Sequence, residues 1–107
     1  MSLVEFRTIQ INSLEDARQP IIKLLQKFSR VVKNPKKYSG NNYSEEAVKN
    51  LTEFCNFTTA LVGRAATKEQ LLPIIACIEG FQGRFACRGH DTSDVLSYIC
   101  VFIQKIP

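Results

Sequence analysis

With 107 residues, 45% of them hydrophobic and 22% charged, the chain has the make-up of one globular domain, which excludes long disorder and leaves no room for a second domain. No apolar run approaches the ~20 residues of a bilayer-crossing helix. The opening Met-Ser-Leu-Val-Glu-Phe-Arg also lacks the apolar block of a signal peptide, so a cytoplasmic or nuclear location is expected.

The net charge of +4 is modest, but its distribution is uneven: no acid occurs between Asp16 and Glu45, while Arg18, Lys23, Lys27, Arg30, Lys33, Lys36 and Lys37 all fall there.

Residues 1–12 read as a short extended arm, because residues 3–11 are rich in β-branched side chains and partly alternate. One strand has no partner of its own, so the arm should lie along the rest of the chain or pair with another chain. Residues 13–107 read as a single helical domain.

The first helix should start at Asn12-Ser13, where an N-cap precedes Glu15 and Asp16 at the positive end of the helix dipole. Leu14, Ala17, Ile21, Leu24, Phe28 and Val31 recur in steps of three and four, widened by Leu25 and Val32. Pro20 predicts a kink or a detached first turn, and Asn34-Pro35 ends the helix. A polar loop follows.

Ser44 caps the second helix, whose inward set is Val48, Leu51, Phe54, Cys55, Thr58, Leu61 and Val62; Gly63 is placed to provide a left-handed C-cap.

Thr67-Lys68-Glu69-Gln70 is a capping box for the third helix, which Pro73 should bend. Leu71, Ile74, Ile75, Ile78, Phe81 and Phe85 share one face, with Leu72, Ala76 and Cys77 adding apolar atoms beside it. So apolar a helix predicts burial on most sides, as the centre of the domain or against a partner. After Arg88-Gly89-His90-Asp91, the fourth helix turns Val95, Leu96, Ile99, Phe102, Ile103 and Ile106 inward.

Pro20-Ile21-Ile22 with Phe28 resembles Pro73-Ile74-Ile75 with Phe81, and Leu51-Thr52 with Cys55 and Phe57 resembles Leu96-Ser97 with Cys100 and Phe102. This faint repeat favours two helical hairpins. The predicted fold is therefore all-α, a roughly antiparallel four-helix bundle with a short N-terminal arm.

Three constellations are candidates for function. Lys23, Lys27 and Arg30 share one outer face of the first helix, and Lys33, Lys36, Lys37 and Tyr38 continue it, a pattern suited to nucleic-acid backbone or an acidic partner surface. Lysines on an amphipathic helix are also the ordinary means of keeping a face in water.

The second candidate is an apolar excess. Residues 14–33 carry seven charged side chains, against two in 71–87 and one in 95–106, which predicts hidden area in the last two helices. Leu72, Ala76, Gly80, Gly83, Tyr98 and Val101 form the expected interface for a protein partner or a second copy.

The third is Cys87 with His90, flanked by Arg84 and Arg88, which would lower a thiol pKa. Nothing supplies an orienting third group or an oxyanion hole, and the four cysteines match no metal pattern. Cys55, Cys77 and Cys100 read as core packing.

With no paired carboxylates, no glycine-rich phosphate loop and one histidine, no enzyme, metal, cofactor, membrane partner or small-molecule substrate is expected. The sequence favours a non-catalytic binding module that docks into a larger assembly, with its basic face over residues 18–43. The alternative is a pure protein-interaction domain, such as an adaptor, immunity or inhibitor protein.

Overall fold

The computed structural model describes residues 8–33, 45–84 and 90–107, and the side chains of these except at positions 31, 81–84 and 90–94. Within them lie α1 (Leu14–Lys33), α2 (Glu45–Arg64), a 3-10 turn (Lys68–Leu71), α3 (Leu72–Arg84) and α4 (His90–Lys105). No strand occurs among the described residues. The chain is an all-α, four-helix bundle.

α1 begins as its sequence dictates. The Ser13 hydroxyl accepts from the Asp16 N–H at 3.3 Å, and the Asp16 carboxylate accepts in return from the Asn12 N–H at 3.0 Å. Two backbone donors that the helix itself cannot satisfy are thereby paired. The helix runs unbroken through Pro20, so no first turn is detached. Proline removes one backbone bond there, and the reciprocal cap holds the turn preceding it.

α2 lies antiparallel to α1. Arg18, near the start of α1, bonds the carbonyl oxygens of Val62 and Ala65 at the end of α2, while Phe28 and Phe54 meet edge to face midway, with ring centroids 6.3 Å apart. Gly63 does not form the expected left-handed cap. It lies inside α2 without a positive φ, and the Ala65 N–H still reaches the Leu61 carbonyl at 2.9 Å. Where the helix ends, the carbonyls of Val62 and Ala65 instead meet a guanidinium from the neighbouring helix.

α3 and α4 make the second hairpin. Lys68, just before α3, donates to the Gln104 carbonyl near the end of α4 at 3.1 Å, which sets the pair antiparallel. The Gln70 side chain accepts from the backbone N–H groups of Ala66 (2.6 Å) and Thr67 (3.2 Å), supplying that arm of the predicted capping box. Pro73 does not bend a longer helix: α3 begins at Leu72, and the preceding turn is 3-10. A proline in a first turn forfeits a donor that had no partner anyway.

The centre of the bundle is α1, not α3, so of the two outcomes that the apolar character of residues 71–81 allowed the central one is not met. α1 packs against both α2 and α4, whereas α3 packs on α4 and on the 3-10 turn. Ala17, Ile21, Leu24, Leu25, Phe28 and Val32 of α1 are all buried, but among its described side chains α3 buries only Ile74 and Ile78, next to Leu71 of the turn. Each fully buried aliphatic or phenylalanine side chain contributes roughly 1.5–3 kcal/mol, so the wide, clean stripe of α1 outweighs the diffuse one of α3.

α4 contributes Val95, Leu96, Ile99, Phe102 and Ile103 to the same core, and Ile106 just past its end joins them. The end of the predicted arm joins it as well: Ile11 is buried and Ile9 packs against the core, while Thr8 and Gln10 face out.

Candidate functional site

Two outward faces of the bundle carry the candidate residues. The first is on α1. Lys23, Arg30 and Lys33 are exposed and Lys27 is half-buried along its stem, so the periodicity that sends Leu24 and Phe28 inward sends these four cations away from the core. Lys23 and Lys33 are ten residues apart, about 15 Å along the helix axis.

None of the four takes part in a hydrogen bond or ion pair within the described residues. The acids at the start of α1 are already engaged: Asp16 caps the helix, and Glu15 pairs with Arg18. The hydrogen bond from Arg18 holds the Glu15 carboxyl below the usual carboxylate range. Arg18 itself is drawn away from the basic row to the carbonyls of α2. Lys36, Lys37 and Tyr38 lie outside the described residues.

The second face is the outer side of α3. Leu72 is 44% exposed, and Pro73, Ala76, Cys77 and Gly80 are exposed with it. Glu79 is the charge among them. A Cβ added at Gly80 would meet nothing within 4 Å, so no packing inside the chain calls for glycine there.

The apolar excess of α4 has a different fate, because Val95, Leu96, Ile99, Phe102 and Ile103 are consumed by the core. Val101, 38% exposed, is the large hydrophobic that stays outside, and Tyr98 is half-buried. Gly83 belongs to α3, with its surroundings outside the described residues.

Phe57 on α2, 56% exposed, was singled out for no role by sequence reasoning. The signal was available: it falls outside the inward set that contains its neighbour Thr58. That Thr58 is fully buried, and its hydroxyl has no hydrogen-bond partner among the described residues.

The cysteines divide three ways. Cys55 is buried as expected and Cys100 is half-buried and packs against the core, but Cys77 is exposed, so its core assignment is corrected. Burial pushes the Cys55 thiol up to about 12, with the positive charge of Lys33 acting weakly the other way. Burial also raises the Cys100 thiol, and the negative charge of Glu79 on α3 adds to it. Both groups are therefore protonated and poor nucleophiles at neutral pH.

The side chains of Cys87 and His90 lie outside the described residues. Among those described, no group of three or more His, Cys, Asp or Glu is placed to hold a metal ion, and no helix is long and apolar enough to cross a membrane.

Compared with known family models, curated proteins and solved structures, the chain has no match.

Proposed function

We propose that the chain is a non-catalytic binding module that docks into a larger assembly and grips an anionic surface with the outer side of α1. The observation that carries this reading is that Lys23, Lys27, Arg30 and Lys33, on the outer side of α1, make no hydrogen bond or ion pair among the described residues. Cations that served only to balance local acids would be spent in ion pairs such as Arg18–Glu15. The exposed apolar side of α3 favours a protein contact elsewhere on the same module.

The second reading is a pure protein-interaction domain, favoured by Phe57 and Leu72, large apolar side chains that the fold leaves in water.

Retention on immobilised heparin as salt is raised separates the two. Reversing Lys23, Lys27 and Arg30 to glutamate should release the protein at far lower salt. Reversing Lys49, Arg64 and Lys105, which changes net charge equally at other sites, should release it only slightly earlier. Equal effects of the two triple variants would mean that α1 carries no site.

A further inference from the structure

Resting on the anionic-surface reading above, we infer that the partner is an acidic amphipathic helix of another protein, laid along the outer seam between α1 and α4. Its carboxylates meet Lys23, Lys27 and Arg30, and its apolar side meets Tyr98 and Val101. In the sequence these cations and apolar residues lie in different halves of the chain. Helix packing brings them side by side.

α1 packs against α2 and α4. Arg18 marks its flank toward α2, since the guanidinium reaches the carbonyls of Val62 and Ala65. Lys27 follows nine residues later, about two and a half turns, and so lies on the opposite flank, toward α4, where it is half-buried. The flank of α4 toward α3 is marked by Cys100, which feels the charge of Glu79, and by Gln104, whose carbonyl accepts from Lys68. Tyr98 lies about 200° from Cys100 round the helix, on the flank toward α1. Val101 and Lys105 continue from it in steps of three and four.

The two rows overlap along the seam. Arg18 near the start of α1 meets Ala65, and Lys68, three residues on, meets Gln104 near the end of α4. These contacts share one end of the bundle, so α1 and α4 are antiparallel. Tyr98 is six residues from Gln104, about 9 Å along its axis, and Lys27 is nine from Arg18, about 14 Å. Lys105 therefore lies toward one end of the seam and Arg30 toward the other, with Tyr98 and Val101 in the stretch between.

Charge complementarity gives the sign of the partner: none of Lys23, Lys27, Arg30 and Lys105 takes part in an ion pair among the described residues. The apolar residues favour a protein. A phosphate backbone engages cations through counterion release and leaves Val101, 38% exposed, in water. A helix with carboxylates on its flanks and aliphatic side chains along one face covers both, and the seam between two packed helices is a groove that such a helix fits. Tyrosine and arginine are also the residues on which protein interfaces concentrate their strength.

Fluorescence anisotropy on the full chain tests this with four labelled probes. They are a helical peptide of glutamate and alanine carrying leucines in steps of three and four, the same peptide with its leucines changed to serine, and duplex and single-stranded DNA of matched charge. The leucine peptide should bind most tightly. Val101→Ser should weaken it about tenfold and leave the serine peptide unmoved, with Val101→Ala falling between. Reversing Lys23 and Arg30 to glutamate should weaken both peptides, whereas Leu72→Ser, on the outer side of α3, should change neither.

Equal affinity for the two peptides, equal effects of Val101→Ser and Leu72→Ser, or tighter binding to either nucleic acid overturns the protein partner while leaving an anion-gripping module standing. Binding to none of the probes at low salt removes both.

Discussion

Arg18 of α1 donates from its guanidinium to the carbonyl oxygen of Ala65 at 2.9 Å, forty-seven residues further along the chain and just past the end of α2. A second nitrogen of the same group reaches the Val62 carbonyl. The side chain keeps 15% of its surface in solvent. It therefore joins the two helices of the first hairpin and satisfies the carbonyls at the tail of the second, where a positive charge also suits the helix dipole.

Replacing Arg18 by methionine, which keeps much of the stem, should lower stability by about 1.5–3 kcal/mol, the range for hydrogen bonds made by a charged group. Lysine should rescue only part of this, because a single ammonium cannot present the planar fork that meets two carbonyls. The urea midpoint reads the effect. A loss below about 0.5 kcal/mol, the scatter of ordinary surface substitutions, would show that water serves those carbonyls equally well.

Thr58 makes the opposite prediction. Its hydroxyl is fully buried with no partner among the described residues, so the chain bears a desolvation penalty that valine, of nearly the same shape, would not. Thr58→Val should raise stability by about 1 kcal/mol in the same urea experiment. A loss instead would reveal that the hydroxyl is bonded in solution.

The placement of α1 at the centre and α3 at the periphery is testable by paired truncation. Leu24→Ala, at a fully buried site, should cost about 2–5 kcal/mol. Leu72→Ala, at a site 44% exposed, should stay within about 0.5 kcal/mol. Gly80→Ala should stabilise the isolated chain by about 1 kcal/mol, since a methyl group there has open space around it and glycine is a poor helix former. Destabilisation at Gly80, or a change in mass by light scattering, would show that the outer side of α3 is already covered by a second copy.

Alkylation should find Cys77 ahead of Cys100 and Cys55, following exposure. The raised Cys55 thiol also fixes a pH dependence. Its proton is held more tightly folded than unfolded, so the stability it lends is complete below pH 9 and is lost as pH climbs from 9.0 toward about 12. Cys55→Ala should therefore be less stable at neutral pH yet show a shallower alkaline decline. An equally steep decline would assign the alkaline loss to other groups.

Much of the bundle was legible because α1, α2 and α4 have regular stripes: Ile21, Leu24 and Phe28, or Ile99, Phe102 and Ile103, follow a spacing that only one helical face satisfies. The same periodicity placed Lys23 and Arg30 on the wet side.

What periodicity does not encode is which neighbour a stripe meets. α3 is apolar around most of its circumference, so its sequence does not say which third is buried; the structure selects Ile74 and Ile78 and leaves Leu72 and Cys77 outside. Gly63 misled for a related reason: a glycine near a helix end is a local stop signal, whereas α2 continues to Arg64 and the carbonyls at its end meet Arg18, a contact of long sequence separation. Pro73 looked like a bend because the 3-10 turn before it continues the apolar spacing of the helix after it.

Because α3 leans on α4 and the 3-10 turn while α1 is gripped from two sides, the bundle should open unevenly. The backbone amides of α3 are expected to exchange with deuterium well before those of α1, through an excursion that peels α3 away while the hairpin of α1 and α2 keeps its shape. The Lys68 to Gln104 contact is the latch of that motion, so a protease would reach the peptide bonds around α3 first.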